Sequence, residues 1–217
     1  MVVWALFIDH NTSLLASAAE AQNSKTMKMI KKTDNYLSAV QIAGCDPVVM
    51  AEASKICEDN GADIIDIGGE SSRPGAKPVS AAEEIKRISP LLIELAKNTD
   101  STISIDTYKS STAIYALDNG AHLINDISGM THDKKMVNII SRYKVPIVIM
   151  HMKGTPKTMQ QNPTYDNIIN EISDFLVKQA NIAINAGVSN EKIIIDPGIG
   201  FGTVSYTHLT LPTNREV

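Results

Sequence analysis

Short apolar runs that end on an acid or an amide alternate along the chain with longer stretches whose apolar residues recur every three or four positions. The runs predict strands buried on both faces and the longer stretches predict amphipathic helices, so the chain reads as a βα repeat. Asp46 ahead of Pro47 suits a helix start, because the carboxylate accepts from free N–H groups and proline has no N–H to leave unbonded. Val49, Ala53 and Ile56 then share a side until Gly61, and Ile64-Ile-Asp-Ile67 is the next strand. Ser80 and Glu83 have capping-box spacing before a helix lined by Ile85, Ile88, Leu92 and Leu95, in which Pro90 should force a kink or a split.

The unit recurs three more times. Strand Thr102-Ile-Ser-Ile-Asp106 leads to a short helix carrying Ala113, Ile114, Ala116 and Leu117, which Gly120-Ala121 ends before strand His122-Leu-Ile-Asn-Asp126. Met136, Val137, Ile139 and Ile140 mark a helix ahead of Val145-Pro-Ile-Val-Ile-Met150. Ile168, Ile169, Ile172, Phe175, Leu176 and Ala180 mark a long one that Gly187 stops before Lys192-Ile-Ile-Ile-Asp-Pro197. Ser38-Ala-Val-Gln-Ile-Ala43 reads as a strand before the first of these helices, and the opening Met1–Ile8 run as a strand or a loosely placed end. Asp66, Glu70, Asp106, Asn125, Asp126, His151 and Asp196 all fall at or just past strand C-terminal ends. That is where a (β/α)8 barrel of the TIM type assembles its site, although an acid after a strand, taken alone, is more often a helix cap or a loop hydrogen-bonder.

Composition narrows the class. With 217 residues, 43% of them hydrophobic, the chain has material for one sizeable core and one domain. Its net charge of -4, with basic residues scattered, argues against a dedicated nucleic-acid binder, and no apolar run is long enough to span a membrane. Cys45 and Cys57 form neither a disulfide framework nor a zinc-type pair, which fits the reducing cytosol. Metalloprotease, Walker-loop and nucleophile-elbow motifs are absent from the sequence.

The candidate chemistry lies in the strand-end loops. Gly68-Gly-Glu-Ser-Ser-Arg-Pro-Gly75 joins a pliable backbone to a hydroxyl pair and a guanidinium, which suits an anion or a charged aromatic acid and equally an ordinary turn with Arg73 in solvent. Asp106 as an acceptor and Asn125 as donor and acceptor would read an amino-heterocycle with adjacent N–H groups and a carbonyl. Asp196 adds a second acceptor, and Phe201 could stack on a flat ring. His151 reads as a base, a metal ligand or, most simply, a hydrogen-bonded strand-end residue, while Met150 and Met152 read as core filler.

Five ordered motifs carry a resemblance. Gly68-Gly-Glu-Ser-Ser-Arg-Pro-Gly-Ala76, Ser104-Ile-Asp-Thr107, Asn125-Asp-Ile-Ser-Gly129, Met150-His-Met-Lys-Gly-Thr-Pro156 and Asp196-Pro-Gly-Ile-Gly-Phe-Gly202 resemble dihydropteroate synthase, a pterin-binding barrel enzyme, over roughly residues 61 to 202. The resemblance implies a pterin pocket formed by Asp106, Asn125 and Asp196, with Ile127, Met150 and Phe201 packing the ring. It implies that Ser72 and Arg73 place 4-aminobenzoate, with Asp106 and Arg73 in catalytic roles. It also implies a cytoplasmic transferase of folate biosynthesis that joins 4-aminobenzoate to 6-hydroxymethyl-7,8-dihydropterin diphosphate and expels diphosphate with Mg2+, without nucleic acid or membrane partners. A corrinoid-linked pterin methyltransferase shares the barrel logic, but the Ser72-Arg73 loop and Lys153-Gly-Thr-Pro156 favour the synthase.

Both ends depart from that pattern. The family's first loop, whose Asn helps hold metal and diphosphate, has no counterpart, and residues of about 20–67 instead resemble the flavin-dependent tRNA-dihydrouridine synthases, in which Gln41 would contact FMN. That family's catalytic cysteine motif is missing. Residues 203–217 resemble neither family. The expectation is therefore an incomplete barrel: residues 1–202 as one domain, 1–67 atypical within it, 203–217 a non-native tail, and the last βα units absent, their place open to a partner chain, as in a homodimer, or to the N-terminal segment. The alternative functions are a non-catalytic pterin-binding fragment or, from the N-terminal resemblance, an FMN-dependent tRNA-dihydrouridine synthase.

Overall fold

The computed structural model describes residues 2–6, 37–42, 46–73, 75–159, 161 and 163–203. Among them lie β1 (Val2–Leu6), β2 (Leu37–Ile42), α1 (Pro47–Asp59), β3 (Ile64–Gly68), α2 (Ala81–Asn98), β4 (Thr102–Asp106), α3 (Ser110–Asp118), β5 (Leu123–Asp126), α4 (Met136–Tyr143), β6 (Ile147–Met150), α5 (Ile168–Asn185) and β7 (Ile193–Asp196). A 3-10 turn at Asn190–Lys192 feeds β7. The strands pair in parallel and in chain order from β1 to β7. A doubly wound sheet reverses its order near the middle, whereas monotonic order with a helix at successive crossovers curls toward a barrel. The sheet is of the barrel type and open: among the described residues β1 does not pair with β7, and Ile195 on β7 is 59% exposed.

Local signals set the elements. The Asp46 carboxylate accepts from the N–H groups of Val48 and Val49 at 2.9 and 3.3 Å, capping α1. Its buried face is Met50, Ala53, Ser54 and Cys57, one position round from the Val49–Ile56 side that hydrophobicity alone favours. Ser80 caps α2 by accepting from Glu83 N–H at 3.2 Å, but the Glu83 carboxylate pairs with Arg87 at 2.8 Å. Pro90 does not split α2: it lies on the exposed face, where the carbonyl its missing N–H would have bonded can turn to water.

The register explains what the strands do. Ile42, Ile67, Ile105, Ile124, Ile147 and Ile193 are paired in one continuous row across six strands, and the first five are at most 1% exposed. This row packs with the apolar faces of the helices to form the main core. Each buried isoleucine contributes roughly 1.5–3 kcal/mol. Because alternate residues face opposite ways, the same strands send a different set inward. Gln41, Asp66, Ser104 and Leu123 are level with one another, and Asp106, Asn125, Val148 and Ile194 form the next level up. The helix side of the strands is therefore mainly apolar, while the concave side carries polar residues on β2 to β5 among apolar ones such as Leu123 and Val148.

The opposite end of the sheet is tied by one carboxylate. Glu58, near the end of α1, accepts from Thr99 Oγ1 at 2.6 Å, Asp100 N–H at 2.7 Å and Ser101 N–H at 2.9 Å, which fastens α1 to the turn entering β4. Partial burial alone would raise its pKa, but these bonds outweigh burial and hold it at about 2. A depressed carboxylate contributes stability that is present above its unfolded pKa and fades as pH falls toward the folded value. Glu58→Gln should therefore lower the melting temperature at pH 7 and make much less difference at pH 2, a comparison that thermal melts at both pH values provide.

Candidate functional site

The inward side chains at the strand C-terminal ends form one hydrogen-bonded floor. Asp66 is fully buried; its Oδ1 accepts from Ser104 Oγ at 2.5 Å, and its Oδ2 accepts from Gln41 Nε2 at 2.9 Å and Asn125 Nδ2 at 3.1 Å. The same Gln41 nitrogen donates to Asp106 Oδ2 at 2.8 Å. Two carboxylates thus share one amide donor. Burial raises the pKa of both, and in Asp106 the charge of Asp66 raises it further against the opposing bond from Gln41. Gln41, which one resemblance assigned to a flavin, has its amide nitrogen committed to these two acids.

The expected residues divide into two groups. Asp106 and Ser72 line one small cleft together with Glu70, Glu84, Tyr108 and Ile127. Asn125 is paired with Asp106 in the β4–β5 register. One of its two amide N–H groups is engaged by Asp66, and its carbonyl oxygen remains to offer a ligand an acceptor. Ile127 and Met150 belong with Tyr108 to a separate buried apolar cluster, against which Phe201 and Met152 pack. The three expected ring-packing residues are thus brought together, and Tyr108 joins them.

Asp196 stands apart. It pairs with Met150 in the register, three strands along from Asp106 and one level higher. Its Oδ1 accepts from Gly198 N–H at 2.8 Å, and burial raises its pKa against that bond. Asp126 takes the plain structural role: its carboxylate accepts from Ser128 N–H, Ser128 Oγ and Met130 N–H and shapes its own loop. Arg73 is half-buried on the loop that Gly75 N–H ties to Pro156 C=O at 3.0 Å, which joins the loops after β3 and β6. His151 is buried with Nδ1 lacking a partner among the described residues, its ring edge-on to Phe175, and burial followed by the Lys153 charge lowers its pKa. Cys45 lies outside the described residues, while Cys57 is buried in the core with its thiol pushed up to about 11 by desolvation.

Sequence reading missed Glu84, Tyr108 and Lys109. Lys109 Nζ bridges Glu70 at 2.7 Å and Glu84 at 2.9 Å, and Tyr108 O–H donates to Glu70. Glu84 did leave a signal, since it occupies the inward stripe of α2 with Ile88, Leu91 and Leu95, and an acid there needs a buried cation. Among the described residues no group of three or more His, Cys, Asp or Glu is placed to hold a metal ion, and no helix is long and apolar enough to cross a membrane.

Known proteins share this arrangement. A family model described as pterin binding enzyme matches residues 27–212, which extends beyond residues 61 to 202 at both ends. A dihydropteroate synthase of Clostridium beijerinckii is 45% identical over 158 residues, covering 73% of this chain and 56% of that protein. Among solved structures, the Anaplasma phagocytophilum dihydropteroate synthase with bound 6-hydroxymethylpterin-monophosphate superposes with a TM-score of 0.70 at 33% identity, over 76% of this chain and 66% of that one. The Xanthomonas albilineans enzyme with 4-aminobenzoic acid gives 0.66 at 35% identity, over 72% and 55%. The chain spans about half the length of the curated relatives it matches.

The loop after β7 depends on a close backbone approach. Gly198 has φ +65, and a Cβ there would lie 1.8 Å from the His151 carbonyl oxygen, whereas Gly200 has φ +93 with nothing within 4 Å of its virtual Cβ. The left-handed conformation alone costs a non-glycine residue about 1–3 kcal/mol. Gly198→Ala should destabilise the protein clearly more than Gly200→Ala. Equal melting temperatures for the two variants would contradict the close approach.

Proposed function

The chain belongs to the pterin binding enzyme family, and from that premise we propose that it is a dihydropteroate synthase whose concave floor binds the pterin diphosphate. The observation that carries the reading is the pair of buried acceptors, Asp106 and Asn125, side by side above Asp66. Asp106 has one oxygen on Gln41 and faces the cleft, and Asn125 has its nitrogen on Asp66, so both turn acceptors toward a ring with adjacent N–H donors. Ile127, Met150 and Phe201 supply an apolar wall for the ring faces, and Asp196 reaches the ring from the far side of that wall. Ser72 and Arg73, on the loop beside the cleft, receive 4-aminobenzoate. The ligands named for the Anaplasma and Xanthomonas structures support both substrate assignments.

In the proposed reaction the aminobenzoate nitrogen attacks the pterin methylene. A C–N bond forms, the C–O bond to diphosphate breaks with its electron pair leaving on oxygen, and the amine loses a proton. Positioning supplies much of the rate, and buried carboxylates beneath the ring stabilise positive character that develops at the methylene. Magnesium does not find a ready cage among the described residues, since the acids of the floor are engaged by Gln41, Ser104 and Asn125. The proposed chemistry gives it no step. The acidic, cysteine-poor chain suits the cytosol, and a homodimer is the assembly we propose for it.

Two measurements test this reading. Asp106→Asn should weaken binding of 6-hydroxymethylpterin at least tenfold, because a donor group replaces an acceptor and the loss of one hydrogen bond to a charged group is worth about 1.5–3 kcal/mol. Unchanged affinity would remove Asp106 from the pocket. In the free protein burial and the charge of Asp66 keep Asp106 prone to hold its proton, whereas donors from the ring favour its carboxylate. Binding should therefore release a proton and weaken as pH falls through the raised pKa, by up to tenfold per pH unit. Calorimetry in buffers of different ionisation enthalpy checks this, and a product assay with the pterin diphosphate separates an enzyme from a fragment that binds without turnover.

A further inference from the structure

Glu70 closes the loop that carries Ser72 and Arg73. Its Oε2 accepts from Val79 N–H at 2.8 Å, nine residues on, so one carboxylate pins both ends of the segment between them. The same carboxylate accepts from Tyr108 O–H and from Lys109 Nζ at 2.7 Å, both on the loop that follows β4 directly after Asp106 and Thr107. Lys109 in turn reaches Glu84 Oε2 at 2.9 Å, and that carboxylate also accepts from Thr112 Oγ1 at 2.9 Å. Glu84 is 1% exposed and the Lys109 side chain 14%, so this network is largely shielded from water and salt. The Gly69 backbone lies against Glu84, where a Cβ would meet its carbonyl oxygen at 2.6 Å, leaving the strand end little room to shift.

Four elements meet at this network: the end of β3, the 70–79 loop, the first turn of α2 and the start of α3. Tyr108 adds a second link, because its ring packs with Ile127 and Met150 while its hydroxyl is held by Glu70 and Lys109 Nζ lies 4.4 Å over its face. The apolar wall of the cleft and the Ser72–Arg73 loop are therefore fastened to the same carboxylate.

We infer that Glu70, bridged through Lys109 to Glu84, is a positioning residue that sets the Ser72–Arg73 loop over the cleft and thereby determines 4-aminobenzoate binding. This rests on the synthase reading for the identity of the second substrate. The ion pairs act as a unit: removing Glu70 frees Val79 N–H, Tyr108 O–H and one arm of Lys109 at once, while removing Lys109 leaves two buried carboxylates with no cation between them. Because Asp66, Gln41 and Asn125 belong to a separate set of hydrogen bonds, and the Tyr108 ring keeps its own packing against Ile127 and Met150, the pterin site should feel either change far less than the loop does.

The test uses Glu70→Gln, Lys109→Met and Lys109→Arg in the full chain, with circular dichroism and melts to confirm folding. Glu70→Gln and Lys109→Met should leave the Kd for 6-hydroxymethylpterin within twofold of the parent and raise the KM for 4-aminobenzoate at least tenfold, with kcat changing less. Lys109→Arg should recover most of the loss. Equal weakening toward both ligands, or toward neither, would overturn the inference. If the parent chain binds neither ligand, the synthase reading fails by itself, and hydrogen exchange then judges the clamp: amides of residues 73–79 should exchange at least tenfold faster in Glu70→Gln than in the parent, with β4 unchanged, and equal rates there would overturn it. Should Glu70→Gln not fold, the same exchange comparison on Lys109→Met decides, with faster exchange at 73–79 expected and equal rates overturning the inference.

Discussion

Two carboxylates buried within reach of a single amide nitrogen set the terms for the concave side of this sheet. Asp66 and Asp106 cannot both be charged there without donors, and the donors come from three strands: Gln41 on β2, Ser104 on β4 and Asn125 on β5. Each donor is available because the parallel register brings it level with, or one step from, the acid it serves. A shift of one residue in any of these pairings would swap the isoleucine row for the polar one and bury the wrong side chains on both faces. The charge at the floor and the order of the strands are thus one constraint seen from two sides.

The elements were legible in the sequence for local reasons. Asp46-Pro47 states a helix start within two residues, and Thr102–Asp106 states its strand through alternating isoleucines. The direction of burial was harder. A strand such as Ile64-Ile-Asp-Ile67 reads as nearly all apolar, yet Ile65 and Ile67 go to the helices while Asp66 goes inward. Pro90 was expected to disturb α2 because propensity is a local rule, but on the solvent side of a long helix packing outweighs the single lost bond.

The site was legible where one residue declares its chemistry and illegible where the chemistry is a relation. Asp106, Asn125 and Ser72 announce themselves by sitting at strand ends. Gln41 acquires its role from an acid 65 residues away and another 25 away, and nothing in its own neighbourhood reveals either. Lys109 likewise looks like an ordinary residue before a helix until Glu70 and Glu84, 39 and 25 residues earlier, are brought to its ammonium. Asn125 was half legible: its position was readable, but which end of the amide remains for a ligand depends on Asp66.

The layering of the cleft restricts what can occupy it. Below lies a floor of acids whose donors are committed to one another, so it presents acceptors. Alongside lies an apolar wall of Tyr108, Ile127 and Met150, with Phe201 delivered by the loop after β7, where Gly198 passes against the His151 carbonyl. A fully polar ligand such as a sugar would leave that wall facing hydroxyls that it cannot bond, and a simple hydrocarbon would leave Asp106 and Asn125 desolvated without donors. A flat ring with N–H groups along one edge satisfies both surfaces at once, its edge on the floor and its faces on the wall. In the proposed function the charged second reactant then belongs at the loop carrying Ser72 and Arg73, beside the cleft that Ser72 lines with Asp106.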